Sequence, residues 1–128
     1  MNRAVIGLGS NINPVENIAM ARDTIAGEFK VIKFSSFVET DPIGFTDQDK
    51  FINGALLIET EMDERSLKSR LKDLESSLGR AKTENRYGPR AIDLDILVWN
   101  GDIVDMEVYE REFLKKSIEE LIPDIKIP

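Results

Sequence analysis

The sequence predicts an α+β protein in which two helices pack on one face of an antiparallel four-stranded sheet. Three observations support this: short apolar strands are separated by turn residues, two segments have helical periodicity, and the order is β-α-β-β-α-β. This order is the ferredoxin-like plan. With 128 residues and 41% hydrophobic content, residues 1–128 are predicted to form one domain, with a short C-terminal helix added.

The first half of the chain begins with a strand predicted at Ala4–Leu8, an apolar run that ends in Gly-Ser-Asn, where a turn is expected. A helix should follow, because Asn13 suits the N-cap and Pro14 the first helical position. Gly27 is its predicted end. The apolar stripe of this helix consists of Val15, Ile18, Ala21 and Ile25.

Two further strands are predicted on either side of a loop that begins at Asp41-Pro42-Ile43-Gly44. The first is a long strand over Phe29–Thr40, rich in β-branched and aromatic residues. The second is Phe51–Thr60, in which Phe51, Asn53 and Leu57 share one side.

The second helix is predicted to be capped by Asp63 and to end at Gly79. Its apolar stripe is Leu67, Leu71, Leu74 and Leu78. The strand Ala91–Trp99 and a last helix around Arg111–Leu121 complete the predicted elements.

Composition excludes several classes of function. The chain has no Cys and no His, so thiolate sites, imidazole bases and His-based zinc sites are impossible. A net charge of −7 argues against general nucleic-acid binding. The apolar runs are shorter than a membrane span and the N-terminus lacks a signal-peptide pattern, so no membrane association and a cytoplasmic location are expected. A monomer or a weak dimer is expected.

The sharpest local feature is the pair Asp93 and Asp95 on the last predicted strand. Strand alternation places both side chains on one face, with backbones about 7 Å apart, while Ile92 and Leu94 face the core. Such a pair can bind Mg²⁺, which also uses water and phosphate oxygens as ligands. Taken alone, the pair is more typical of the exposed polar face of an edge strand than of a metal site.

A basic segment precedes this pair. Residues 80–90 contain four cationic residues and one acid, while the chain as a whole is acidic. The cationic residues are Arg80, Lys82, Arg86 and Arg90. Guanidinium groups beside metal-binding carboxylates are what phosphoryl transfer needs. The segment by itself is also typical of a solvated loop.

Four other residues carry weaker signals. Phe51 and Phe113 are more typical of a core than of a stacking clamp, and Glu75 is more typical of a solvated helix surface. Asn53 alternates with apolar residues, and a buried amide would need hydrogen-bond partners.

In chain order, these features resemble the hydroxymethyl-dihydropterin pyrophosphokinase family. The main match is the segment 79–96, which runs from the basic residues through Gly88-Pro89-Arg90 into Asp93-Leu94-Asp95. Supporting matches are Gly9-Ser10-Asn11, Ser35-Ser36-Phe37, Thr40 to Gly44, Phe51-Ile52-Asn53, Arg111-Glu112-Phe113 and Glu120 to Pro123. The resemblance covers about residues 3–124.

The resemblance implies transfer of the terminal diphosphate of ATP to the hydroxymethyl group of 6-hydroxymethyl-7,8-dihydropterin, with release of AMP, in folate biosynthesis. It implies two Mg²⁺ ions at Asp93 and Asp95, with Arg80 and Arg90 stabilising the transferring group. The implied pterin-binding residues are Thr40, Pro42, Ile43, Gly44, Phe51, Asn53 and Phe113. The implied nucleotide-binding residues are Glu75, Lys82, Arg86, Tyr87, Arg90 and Arg111.

The sequence departs from the family mainly at residues 101–110. Family members have a Pro-His segment and basic residues there, whereas this stretch is acidic and lacks His. Lys82 replaces an Arg, and Tyr87 replaces a Trp. These departures leave open a different nucleotide donor, or a pterin- or nucleotide-binding homologue without catalysis. A nucleic-acid or metal-sensor domain would leave Asp93 and Asp95 unexplained.

Overall fold

A computed structural model describes residues 1–42, 48–79 and 91–128. The helices are α1 (Pro14–Glu28), α2 (Glu64–Ser77) and α3 (Glu112–Leu121), with a 3₁₀ helix at Met106–Tyr109. The strands are β1 (Asn2–Ser10), β2 (Lys30–Phe34), β3 (Val38–Thr40), β4 (Phe51–Thr60), β5 (Asp93–Trp99) and β6 (Asp102–Ile103). No helix within the described ranges is long and apolar enough to cross a bilayer.

The strands form one antiparallel sheet. Its order is β2-β4-β1-β5-β6, and β3 also pairs with β4. Six strands are therefore present in the described residues, where the sequence predicted four. The expected turn at Gly9-Ser10-Asn11 starts later than predicted, because β1 continues to Ser10 and pairs there with Ile52.

One extra strand arises because the predicted strand Phe29–Thr40 is broken at residues 35–37. The backbone amide and hydroxyl of Ser36 both donate to a carboxylate oxygen of Glu120 in α3, at 2.9 Å. The Phe37 ring lies over Gly54, where an added Cβ would be 2.4 Å from the ring. The chain stays beside β4, because Ser35 and Ala55 are hydrogen-bonded, but the pairing shifts by one residue before β3 pairs with the first residues of β4.

The other extra strand is β6, which forms a hairpin with β5. Asn100 and Gly101 connect the two strands with φ values of 48° and 86°. A two-residue turn with positive φ at both positions matches the right-handed twist of the strands, and Asn-Gly is its preferred sequence. The hairpin brings the segment after β6 back alongside β5.

The helix ends follow the predicted signals closely. Asn13 is the N-cap of α1, which extends one residue past the predicted end at Gly27. Asp63 accepts a hydrogen bond of 2.7 Å from the Ser66 backbone amide at the start of α2. Gly79 follows α2 with a φ of 84°, a conformation that favours glycine.

Apolar packing occurs on both faces of the sheet. On one face, α1 and α2 pack against the side chains of Ala4, Ile6 and Leu8. On the other face, α3 packs against Val5, Leu57 and Leu97. A plan with two helices on one face of the sheet leaves this second face uncovered. The structure shows that α3 covers part of it, which leaves an opening beside the N-terminal end of α3.

Candidate active site

The candidate site lies on the sheet face that α3 partly covers, where three strands present small and polar residues in register. Gly9 of β1 lies opposite Asn53 of β4 on one side and Asp93 of β5 on the other. In the next row on this face, Gly7 lies between Ala55 and Asp95. The two glycines leave the middle of this face without side chains, so a depression forms between the carboxylates and Asn53.

A cavity of about 110 Å³ occupies this depression. Phe51 and Asn53 line it from β4, Asp93 and Asp95 from β5, and Phe113 from the first turn of α3. These five residues are separated in the sequence by up to 62 positions. The structure therefore brings the predicted metal-binding pair and three of the predicted pterin-binding residues to one place.

The pKa of the Asp95 carboxyl is raised. The carboxyl keeps contact with solvent, but the surrounding protein desolvates it, and the negative charges of Asp93 and then Asp105 add to this effect. Together these raise its pKa from the ordinary value of 3.8 to about 6. Two neighbouring carboxylates whose negative charges repel each other are suitable ligands for a hard divalent cation.

A second cavity of about 220 Å³ adjoins the first, and both are lined by Asp95 and Asp105. Lys68 and Lys72 of α2 lie on its wall. Its apolar lining comes from Leu71, Leu94, Ile96, Val104 and Met106. Three acids, Glu64, Asp95 and Asp105, also line it, so the cavity combines apolar walls with charges of both signs.

The acidic segment that follows β6 contributes to both cavities. Asp105 accepts a hydrogen bond of 2.9 Å from the Glu107 backbone amide, which starts the 3₁₀ helix. Glu107 lines the first cavity, and its carboxylate lies 4.0 Å from the guanidinium of Arg111. Arg111, an implied nucleotide-binding residue, thus lies beside Glu107 of the first cavity and is not itself part of the lining of either cavity.

The side chain of Asn53 is fixed by a hydrogen bond to the neighbouring strand β3. Its side-chain amide donates to the Thr40 hydroxyl across the β3–β4 pair. Pro42, two residues beyond Thr40, is half-buried. The side-chain amide of Asn53 therefore has the partner that a polar group inside a sheet requires.

Glu75 occupies a different environment from the surface that the sequence suggested. It is 2% exposed, and its carboxylate accepts a hydrogen bond of 2.7 Å from the Leu94 backbone amide. It thereby joins α2 to the strand that carries Asp93 and Asp95. Its implied role as a nucleotide ligand stays a prediction.

The remaining predicted site residues lie outside the described residues. They are Ile43, Gly44, Arg80, Lys82, Arg86, Tyr87 and Arg90. Their roles stay predictions that rest on the family resemblance.

Sequence reasoning missed three contributors to this site. Gly7 and Gly9 matter because they face Asp95, Asn53 and Asp93, and this register is visible only once the strands are paired. Lys72 faces the second cavity from the polar side of α2, where it looked like an ordinary surface lysine. The turn signal Asn100-Gly101 could have indicated the hairpin that brings the acidic segment into place.

The fold and the site define an α+β protein whose antiparallel sheet carries a carboxylate pair and aromatic rings in one cavity. A family model described as 7,8-dihydro-6-hydroxymethylpterin-pyrophosphokinase (HPPK) matches residues 5–123. The chain belongs to this family.

Curated relatives agree with this membership. A protein of Methylorubrum extorquens is 38% identical over 99% of this chain and 87% of its own length. Proteins of Bacillus subtilis and Haemophilus influenzae are 36% and 33% identical, and the matches cover 81% and 86% of their lengths. All three are named 2-amino-4-hydroxy-6-hydroxymethyldihydropteridine pyrophosphokinase. Each alignment is longer than the 128-residue chain, so the relatives contain residues that this chain lacks.

Proposed function

We propose that this chain transfers diphosphate from ATP to the hydroxymethyl group of 6-hydroxymethyl-7,8-dihydropterin and releases AMP, a step of folate biosynthesis. The hydroxymethyl oxygen forms a bond to the β-phosphorus of ATP, and the hydroxyl proton is released. The bond between the β-phosphorus and the oxygen that bridges the α- and β-phosphates breaks, and AMP leaves with that oxygen. The observation that carries the proposal is the cavity shared by Asp93, Asp95, Phe51, Asn53 and Phe113 in a member of this family. A cytoplasmic location stays a prediction.

Two Mg²⁺ ions are the proposed cofactors, with Asp93 and Asp95 as their protein ligands. The fit rests on the donor chemistry, since both carboxylates line one cavity, and desolvation followed by the negative charge of Asp93 raises the pKa of Asp95. Within the described residues, no group of three or more Asp, Glu, His or Cys side chains is placed to hold a metal ion. Water and phosphate oxygens would complete the coordination, as is usual for Mg²⁺. When bound, the ions neutralise charge on the triphosphate.

The pterin is proposed to lie between the rings of Phe51 and Phe113, with Asn53 at its polar edge. The support is that all three residues line the cavity that also contains the carboxylates. The Thr40 hydroxyl holds the Asn53 amide and so fixes the orientation of the group that would recognise the pterin. Pro42, Ile43 and Gly44 are proposed to line the same pocket.

The nucleotide is proposed to extend toward the second cavity, beside Lys68 and Lys72. Arg80, Lys82, Arg86, Tyr87 and Arg90 are proposed to add their contacts as the family resemblance implies. A different nucleotide donor, or a homologue without catalysis, is not favoured by the family membership.

The ferredoxin-like plan is also proposed for the core of the fold. The four predicted strands correspond to β1, to β2 with β3, to β4 and to β5, and their spatial order β2-β4-β1-β5 supports this plan. The strand β6 and the helix α3 are then additions to it.

The experiment that tests the function is an AMP-release assay with purified protein, Mg²⁺, the pterin alcohol and ATP. AMP release should depend on the pterin alcohol and be abolished by EDTA. Parallel assays with GTP and CTP test the donor. Folded protein that releases no AMP above the blank with any donor would contradict the proposed function.

Gly9→Ala should weaken pterin binding by roughly tenfold, equivalent to about 1.4 kcal/mol. An added Cβ would lie 2.6 Å from the Asn53 side-chain oxygen and would displace the amide from the cavity edge. Calorimetric titration with the pterin alcohol measures the effect. Gly27→Ala is the matched control, since an added Cβ there meets no atom of the described residues within 4 Å and α1 should gain about 1 kcal/mol. Unchanged pterin affinity in Gly9→Ala would contradict this arrangement.

Mg²⁺ binding by the substrate-free protein should weaken by up to tenfold per pH unit below about pH 6. The reason is that Mg²⁺ binds the ionised carboxylate, and Asp95 has a pKa of about 6 in the metal-free protein. Titrations between pH 5 and 8, followed by the amide NMR shifts of β5, measure the effect. Asp95→Asn should bind Mg²⁺ more weakly than wild type, and its Mg²⁺ affinity should no longer fall below about pH 6 because of this carboxyl group. A wild-type affinity that stays constant across this range would show that Asp95 is not a ligand.

A further inference from the structure

Glu75 is a buried carboxyl group that none of the proposed chemical steps uses. In the part of the chain that the structure describes, it is the only acidic or basic residue that is buried, with 2% of its surface exposed. Removing a carboxylate from water is strongly unfavourable unless hydrogen bonds and countercharges compensate. The contacts that compensate this charge therefore indicate what the residue does.

Among the described residues, Glu75 contacts the strand that carries the carboxylate pair. One carboxylate oxygen accepts the Leu94 backbone amide at 2.7 Å, and the other lies 3.9 Å from the ammonium of Lys72. Leu94 stands between Asp93 and Asp95 in β5. The group that Glu75 holds is thus the backbone directly between the two proposed metal ligands.

At Leu94, β5 has a strand neighbour on one side only, among the described residues. On the β1 side, Leu94 is opposite Leu8. On the other side, β6 pairs only with Val98 and Trp99, four and five residues further along. Glu75 therefore supplies the acceptor that a neighbouring strand would otherwise provide, and this end of β5 needs such an acceptor because a buried amide requires a partner.

We propose that Glu75 is a positioning residue, which fixes the backbone of β5 so that Asp93 and Asp95 both face the cavity. The proposal rests on the proposed function, because it takes the two aspartates as metal ligands. It gives Glu75 a role other than direct contact with the nucleotide, since its side chain is only 3% exposed. Residues that orient metal ligands typically change metal affinity tenfold to a hundredfold when they are replaced.

A carboxylate suits this position better than an amide does. Hydrogen bonds to a charged acceptor are shorter and stronger than those between neutral groups. The Glu75 carboxylate also has Lys72 beside it, and Lys72 lines the second cavity next to Asp95. Glu75→Gln keeps one acceptor oxygen for Leu94, so it should preserve most of the positioning. Glu75→Leu removes the acceptor while filling a similar volume.

The test compares Glu75→Gln, Glu75→Leu and the control Asp73→Asn, which removes a charge from the exposed side of α2. Two readouts are independent of turnover: hydrogen exchange of the Leu94 amide, and Mg²⁺ affinity without substrates. In Glu75→Leu, we expect faster exchange at Leu94 and at least tenfold weaker Mg²⁺ binding, with pterin affinity unchanged. Glu75→Gln should bind Mg²⁺ about two- to fivefold more weakly than wild type and shift the Leu94 amide resonance, and Asp73→Asn should match wild type.

The outcomes separate this proposal from the proposed function. Wild-type protein that binds Mg²⁺ and releases AMP, with Mg²⁺ affinity and Leu94 exchange unchanged in Glu75→Leu, would overturn the positioning role alone. Wild-type protein that neither binds Mg²⁺ nor releases AMP would overturn both. If Glu75→Leu does not fold, Glu75→Gln decides: a shifted Leu94 amide resonance with two- to fivefold weaker Mg²⁺ binding supports the role, and wild-type values for both overturn it.

Discussion

Asp95→Asn is expected to lose about a thousandfold in the rate of AMP release, equivalent to about 4 kcal/mol of transition-state stabilisation. The amide retains the shape of the carboxyl but not the charge that a divalent cation requires. Of the two proposed metal ligands, Asp95 is the one that lines both cavities, so the proposed metal position lies between the proposed pterin and nucleotide sites. A rate within tenfold of wild type would be incompatible with the proposed role.

The same substitution should stabilise the metal-free protein at pH 8. The folded-state pKa of about 6 exceeds the ordinary value of 3.8, so the folded chain binds this proton more tightly than the unfolded chain does. The stability from this group is complete below pH 3.8 and is lost as the pH rises through 6. At pH 8 the ionised group therefore destabilises the fold. Solvent contact reduces the nominal cost of about 3 kcal/mol to about 1 kcal/mol.

Urea unfolding at pH 8 in EDTA measures this stabilisation, with AMP release measured on the same samples. Asp102→Asn is the matched control, because it removes an exposed carboxylate from β6 on the same edge of the sheet, outside both cavities. Asp102→Asn should leave the rate of AMP release and the free energy of unfolding close to the wild-type values. A residue whose removal stabilises the protein while activity is lost is typical of a functional site. Asp95→Asn that is less stable than wild type at pH 8 would refute the raised pKa.

The sequence was sufficient for the features that depend on local periodicity. The apolar stripes of α1 and α2, the Asp63 cap and the alternation that exposes Asp93 and Asp95 on one face follow from spacing within one segment. The break between β2 and β3 could not be predicted in this way. It depends on Glu120, which is 84 residues from Ser36, and on the missing side chain of Gly54 under Phe37.

The candidate site shows the same limit at the level of strand register. Phe51 and Phe113 entered through the family resemblance, because nothing in the local pattern distinguishes them from core residues. The local pattern marked Asn53 only as a polar residue among apolar ones, and its role also came from the resemblance. Their convergence on one cavity depends on the pairing of β4 with β1 and on the position of α3. The bulge in the β1–β5 pairing between Val5 and Ile6 lets Leu97 and Val98 both pack toward α3. A one-residue error in such a register would move Asp95 to the opposite face.

Phe113→Ala and Phe51→Ala are each expected to weaken binding of the pterin alcohol by 30- to 100-fold, or about 2–3 kcal/mol. The two rings line the cavity from different elements, α3 and β4, and a planar ligand between them would lose one stacked face in each variant. If both rings contact one ligand, the double variant should lose less than the sum of the two single effects, since the remaining ring has lost its opposing wall.

The measurement is calorimetric titration with the pterin alcohol, with Mg²⁺ affinity measured in parallel as a specificity check. Because Asp93 and Asp95 lie on β5 and keep their environment, Mg²⁺ binding should remain within twofold of wild type. Phe34→Ala is the matched control, as it removes a partly exposed ring from β2 that lies outside both cavities. Equal losses of pterin and Mg²⁺ affinity in Phe113→Ala would indicate that α3 has moved, and would contradict the assignment of this ring to the pterin. Selective loss of pterin affinity would place the acceptor substrate on the α3 side of the carboxylates, which leaves the α2 side for the nucleotide.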